Sequence, residues 1–381
     1  MNLSVYLKQL EYLVNIDSET FDVEGVNKVA DYFSTAFKNF DWIVEEHQPK
    51  DNKMGKCLIC KNREADRYDL LMIGHIDTVF KRGTSANRPF KIVGDKAFGP
   101  GVADMKQGSL MMCYLIKELP KEINDKLNIV VVFNPDEEAG SVFSKEIYSK
   151  YAKISDYAFV YEASNENTGI CTARKGSVVF DVEFIGKAGH CAYVDKNGAV
   201  SAVHEMGKWI AEFDSMMNLS IGTTVNVGLA SGGVRRNVVA DNAKITVDIR
   251  YQQSSERQKF LDLVERLTKN ANEKGIKINV KTREKPSFIP SEKAITYVKH
   301  IEQLAKNNGF DFKHALRGGV SDANFISQYG AICLDGLGPS GNLAHCDDEY
   351  MIVSSIMPYF ELSKLLIKDL AEKKHMKGKI Q

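Results

Sequence analysis

The chain has 381 residues, 44% hydrophobic and 26% charged, with Lys plus Arg and Asp plus Glu both at 50. That length accommodates two domains of ordinary globular composition. A formal net charge of zero gives no reason to expect nucleic acid or an acidic membrane surface as a partner, and no stretch reaches the roughly 18 uninterrupted apolar residues of a membrane span.

Residues 1–20 mix Lys8 and Glu11 into their apolar positions, which argues against a signal peptide. They are expected to form an amphipathic helix on Val5, Leu7, Leu10, Leu13 and Val14. Val26, Val29, Ala30, Phe33 and Phe37 repeat at helical spacing. Residues 42–46 and 57–60 read as short strands. Cys57 and Cys60 form a CxxC with no second pair to complete a four-sulfur zinc site, so they are read as strand residues. Seven scattered cysteines, an odd number, imply reduced thiols and a cytoplasmic setting.

Residues 69–74 (DLLMIG) read as a buried strand that runs into His75, Ile76 and Asp77. A Gly/Pro loop at 98–103 leads to Asp104 and an apolar-faced helix over 105–119. The apolar run 127–133 reads as another buried strand, ending in NPDEEAGS at 134–141. A further strand, 157–161, ends at Glu162. Strands alternating with helices predict an α/β fold with a mostly parallel mixed sheet flanked by helices, and ligands bind at the carboxyl edge of such sheets.

From residue 177 the texture changes. Residues 178–185 and 244–251 alternate apolar and polar, as half-buried antiparallel strands do. With helices at 199–213 and 256–272 and a strand at 276–282, they predict an inserted α+β domain, 177–289, of a four-stranded antiparallel sheet and two helices. Residues 1–176 and 290–381 then form the catalytic domain, with the proline-bearing stretch 284–291 (EKPSFIPS) as exit linker. The remainder reads as a helix at 292–307, a loop at 317–324, a strand at 331–334, a helix at 354–370 and a Lys-rich tail expected to fray.

His75 and Asp77 flank Ile76, so on an extended chain both side chains point to the same side. An Asp so placed suits holding the second ring nitrogen of a metal-bound His. Asp104 follows a Gly-Pro-Gly turn at a helix start, where an N-cap is the plain alternative. Three consecutive acids, Asp136, Glu137 and Glu138, are costly to pack unless a cation or a raised pKa offsets them. Taken alone they also fit a solvated turn. Adjacent Glu137 and Glu138 point in different directions, so one can bind a metal while the other faces a substrate. Glu162, at a strand end, and His345, in the loop 338–349 (GPSGNLAHCDDE), each have a solvated alternative. Together His75, Asp104, one of Glu137 and Glu138, Glu162 and His345 gather N and O donors at one sheet edge, a mixture that suits zinc and tolerates cobalt or manganese.

GHIDTV at 74–79, GPGVADMKQG at 99–108, PDEEAGS at 135–141, GKAGHCAY at 186–193 and RGGVSDAN at 317–324 occur in that order. The series resembles the di-zinc peptidase family of carboxypeptidase G2, aminoacylase and acetylornithine deacetylase, over nearly the whole chain. The resemblance implies that Asp104 bridges two zinc ions, with His75 and Glu162 completing one and Glu138 and His345 the other. It implies Glu137 as general base, Asp77 as the residue orienting His75, and a cis Asp104–Met105 peptide. His190 would reach the neighbouring subunit's site and stabilise the tetrahedral oxyanion, making a homodimer through the inserted domain necessary. A solvated loop His is the alternative. Asn237 and Arg317 match positions associated with the substrate's terminal carboxylate, and Arg250, Arg235 or Arg236 offers a second anion contact. For each Arg a surface position is the alternative.

The expected function is that of a cytoplasmic enzyme carrying two Zn2+, or Co2+ or Mn2+, per subunit. It would cleave a peptide or N-acyl amino-acid amide bond beside a free carboxylate, most like the glutamate-carboxypeptidase branch. The alternatives are a deacylase of the acetylornithine or succinyl-diaminopimelate type, a tripeptidase, and a catalytically silent binding homologue. The last would lack a ligand or the base, and none is missing.

Overall fold

The computed structural model describes residues 1–377, and the chain divides into two compact units, each with its own apolar core. Unit 1 comprises Met1–Ala173, Pro290–Leu316 and the chain from Ser321 onward; unit 2 comprises Arg174–Ile289 and Arg317–Val320.

Unit 1 is built on a six-stranded sheet, in the order Ile43–His47, Cys57–Lys61, Ile129–Asn134, Tyr68–His75, Ser155–Val160, Ile332–Leu334. The first two pairings are antiparallel and the other three parallel, giving the expected mixed sheet. Ile129–Asn134 is buried at every position, because helices cover it. Phe33, from the helix Val23–Lys38, stacks on Phe133 with ring centroids 4.3 Å apart. Cys57 and Cys60 lie on the wholly buried strand Cys57–Lys61 as free thiols, and burial pushes both well up.

Some local expectations shift. In the first helix, Leu3–Val14, Tyr6 is fully buried while Val5 is 44% exposed. The apolar stripe therefore turns on Tyr6, whose hydroxyl donates to the Gln107 carbonyl at 2.6 Å. The helix expected from 105 begins at Gln107, since residues 102–106 form a separate turn. The last helix runs Ile356–Lys377 rather than stopping at 370. The tail expected to fray extends to residues 378–381, which lie outside the described residues.

Unit 2 holds a four-stranded antiparallel sheet ordered Thr224–Gly232, Asn242–Tyr251, Gly176–Ile185, Lys277–Lys285. Val178, Phe180, Val182 and Phe184 on one strand and Ile245, Val247 and Ile249 on its neighbour form one buried face. That face packs with Trp209 and Phe213 of helix Ala202–Ser215 and with Phe260 and Leu267 of helix Ser254–Glu273. The strand Thr224–Gly232 is exposed along most of its length, so it shows none of the alternation that marks its neighbours.

Candidate metal centre

Three adjacent parallel strands of unit 1 end together. His75 closes the central strand opposite Asn134, and Ile73 pairs with Val160 on the other side. Glu137 and Glu138 follow the strand Ile129–Asn134, and Glu162 follows Ser155–Val160. Asp104 enters from the turn 102–106, whose lead residue Gly101 has φ +73 and where a Cβ would stand 2.5 Å from Thr78 Cγ2. Only glycine fits that approach. The Asp104–Met105 peptide is cis. His345 comes from the loop between Gly338–Asn342 and Tyr350–Ile352, itself with φ +65.

The two carboxylate oxygens of Asp104 face different histidines. Oδ1 lies 2.9 Å from His75 Nε2, and Oδ2 lies 3.2 Å from His345 Nε2. His75 Nε2 is also 3.7 Å from Glu162 Oε1, and His345 Nε2 is 3.0 Å from Glu138 Oε2. His75, Asp104 and Glu162 thus form one donor group and Asp104, Glu138 and His345 a second, each with its donor atoms within 4.8 Å of one another. Bonds of about 2.0–2.2 Å in a tetrahedral zinc site put neighbouring ligand atoms about 3.3–3.6 Å apart. The observed separations bracket that distance.

The electrostatics point the same way. Burial, then the Asp104 charge, pushes Glu138 up to about 8 and holds Glu162 well above the usual carboxylate range. Burial opposes the charge on Asp104 too, but hydrogen bonds from His345 and His75 outweigh it and hold its carboxyl low. Hydrogen bonds to Asp104 and Glu138 raise His345 to about 11. Glu138 Oε1 is buried without a hydrogen-bond partner. Crowded carboxylates with an unsatisfied oxygen suit a divalent cation.

Asp77 is fully buried and does more than face His75. His75 Nδ1 stands 3.0 Å from the Asp77 carbonyl and 3.3 Å from its Oδ1. The same carboxylate accepts the backbone N–H of Glu137 and of Glu138, each at 3.2 Å, and the Thr20 hydroxyl at 2.6 Å. Glu137 belongs to neither donor group. Asp136, buried and pushed up to about 6 chiefly by that burial, accepts from the Phe143 and Ser144 N–H groups, which closes the turn behind Glu137. Asp322 accepts from Asn134 Nδ2 and Ser141 Oγ, both at 2.5 Å, and from the Tyr148 hydroxyl at 3.0 Å.

Sequence reasoning missed Thr20 and Asp322. Nothing near Thr20 marks it, whereas Asp322 lies inside RGGVSDAN, a motif in which Arg317 is the evident anion-binding side chain.

The other candidates belong to unit 2. His190 is exposed, pairs in register with Val238, and accepts from the Ala192 N–H at 3.2 Å. Cys191 N–H donates to the Asn237 carbonyl at 3.1 Å, so His190 and Asn237 share one small loop cluster. Arg235 and Arg236 are exposed beside it. Arg250 pairs with Ser177, at the far end of the strand that reaches this cluster through Ile185, and its guanidinium forks onto Asp248 at 2.7 Å twice. Arg317 is half-buried, and its carbonyl accepts from Lys175 N–H at 3.0 Å.

A mixed α/β sheet with paired His and carboxylate donor groups at its carboxyl edge defines a class, the metal-dependent hydrolases. Within that class the chain belongs to peptidase family M20/M25/M40, whose profile matches residues 71–369. It is 29% identical over 372 residues to carboxypeptidase G2 of a Pseudomonas species, covering 96% of this chain and 89% of that one. It is 24% identical over 325 residues to succinyl-diaminopimelate desuccinylase of a Nitratiruptor species, covering 81% and 86%. A tripeptidase structure from Staphylococcus aureus superposes with a TM-score of 0.80 at 23% identity, covering 98% and 99%, which establishes a shared fold.

Proposed function

We propose that this hydrolase carries two zinc ions, one in each donor group with Asp104 between them, and cleaves a peptide or N-acyl amino-acid amide beside a free carboxylate. The observation that carries the reading is Asp104, with one oxygen turned to each histidine, while Glu137, next in sequence to Glu138, belongs to neither group. Cobalt or manganese would suit the same donors. When bound, such a pair of cations polarises the scissile carbonyl and acidifies a water. Glu137 takes the proton of the attacking water and delivers it to the leaving nitrogen. Asp77 fixes the ring of His75 and the peptide of Glu137 together, so base and ligand keep one relative placement.

His190 and Asn237, adjacent in unit 2, are proposed to meet the oxyanion and the substrate carboxylate, with Arg317 as a further anion contact. Arg250 is weaker in that role, because Asp248 already fills its fork. Unit 2 is proposed as lid and dimerisation domain of a homodimer, with His190 serving the partner's site. A cytoplasmic setting is supported by seven free thiols, and no described helix is long and apolar enough to cross a membrane.

The greater identity and coverage of carboxypeptidase G2 favour an exopeptidase. The desuccinylase similarity keeps N-acyl deacylation as the second reading. Turnover of C-terminally varied dipeptides and of N-acyl amino acids, with and without chelator, decides between them. Chelator-sensitive dipeptide cleavage is expected, and cleavage of acyl amino acids alone would overturn the exopeptidase choice.

A further inference from the structure

His345 is carried by an exposed loop, since residues 342–348 are all open to solvent. The loop ends at Glu349, which is fully buried. Among the described residues no cation pairs with this carboxylate at salt-bridge distance. Glu349 Oε1 instead accepts the backbone N–H of Ala103 at 2.7 Å and of Asp104 at 3.0 Å, and Oε2 accepts that of Gly101 at 3.1 Å. One side chain thus binds three peptides of the turn that presents Asp104. The turn also seats directly on the hairpin carrying the His345 loop, because a Cβ at Gly341 would stand 2.6 Å from Ala103 Cβ. At its own peptide, Glu349 N–H donates to the Cys346 carbonyl at 3.1 Å, and Cys346 N–H to Leu343 at 3.1 Å. Arg88 adds a second tether, donating to the Asp347 carbonyl.

We propose that Glu349 is a positioning residue that fixes Asp104 and His345 relative to one another, and so sets the cation affinity of the Asp104–Glu138–His345 group. This rests on the two-cation reading above. The physical argument is one of acceptors. Three N–H donors converge on two carboxylate oxygens, and a buried N–H left without an acceptor is expensive. In Glu349→Gln the amide nitrogen must face one of those donors, so the turn has to move. That movement displaces Asp104, while the exposed His345 loop loses its buried anchor. The three side-chain hydrogen bonds of Glu349 all go to the turn 101–104 and none to His75 or Glu162, so the other group is disturbed only through Asp104.

The test is titration of the metal-free full chain with Co2+, followed by calorimetry and by visible absorption. The wild type should take up two ions. In Glu349→Gln the phase belonging to the Asp104–Glu138–His345 group should weaken about 10- to 100-fold, the usual effect of losing a group that orients metal ligands, while the other, which shares only Asp104 with it, weakens by clearly less. The phase that moves should be the one that His345→Ala removes. Glu349→Asp keeps both oxygens but draws them back by one methylene, so it should restore part of the lost affinity, and it is read by the same criteria if Glu349→Gln does not fold. Two unchanged phases, or an equal loss in both, would overturn the role of Glu349 and leave the two-cation reading standing. A wild type that binds fewer than two ions would overturn that reading and this one with it.

Discussion

Thr20 lies 57 residues from Asp77 yet holds its carboxylate at 2.6 Å with both side chains buried. A hydrogen bond to a charged group contributes about 1.5–3 kcal/mol. Thr20→Val keeps the shape and removes the donor, so urea unfolding should show a loss of that size, with turnover falling as Asp77 loosens its hold on His75 and Glu137. The donor groups also predict the sign of a pH effect. Burial holds Glu138 up to about 8, and its carboxylate partners hold His345 up to about 11. The pair therefore holds a proton near neutrality that a cation must displace, since ligands bind metal only when deprotonated. Zinc affinity should rise from about pH 6 to about pH 8, and calorimetry in two buffers of different ionisation enthalpy should record proton release. A pH-independent affinity would contradict it. At this scale His75 and Glu162 were legible because each directly follows an apolar run, whereas Asp104, Glu138 and His345, in a Gly-rich turn, an acid cluster and a loop, took their roles from the family resemblance. Glu349 was not legible. It ends the run Asp347-Asp348-Glu349, whose first two members are exposed, and nothing in three adjacent acids says which one turns inward.

The helix Gln107–Lys117 meets the strand end before Glu162 through Gly108, where a Cβ would stand 1.8 Å from the Tyr161 carbonyl oxygen. Alanine is the better helix former by about 1 kcal/mol, so an open site would gain from Gly108→Ala. Here the obstacle is backbone, which cannot rotate away, and the strand end that carries Glu162 must shift. Gly108→Ala should therefore lower the melting temperature and weaken cation binding together. A rise in melting temperature would show that the close approach is not rigid. Elements were legible where burial is uniform or strictly alternating, as in Ile129–Asn134 and Gly176–Ile185. The strand Thr224–Gly232 escaped because most of it faces solvent and it contains Gly228. The helix start at 105 was misplaced because an apolar pattern cannot reveal that residues 102–106 form a turn of their own.

At the scale of the whole molecule, two cores divide the work: unit 1 holds every donor of both groups, and unit 2 holds His190 and Asn237. The proposed homodimer makes each site a composite of two chains. Mixing inactive His190→Ala with inactive Glu137→Gln, under conditions that exchange subunits, should restore part of the wild-type turnover, since some mixed dimers contain one intact site. No recovery after demonstrated exchange would count against sharing. This level was the least legible in the sequence, because a small-residue loop such as 186–193 reads the same whether it is solvated or docked on a partner.

The most direct measurement compares wild type with Glu137→Gln for metal content and turnover side by side. Glu137 lies outside both donor groups, so the variant should retain two ions per chain by elemental analysis. General-base removal typically costs about 100- to 10,000-fold, and kcat should fall by at least that factor. A Glu137→Gln protein that keeps wild-type turnover, or that loses an ion along with its activity, would contradict the separation of metal ligand from base on which the proposed chemistry depends.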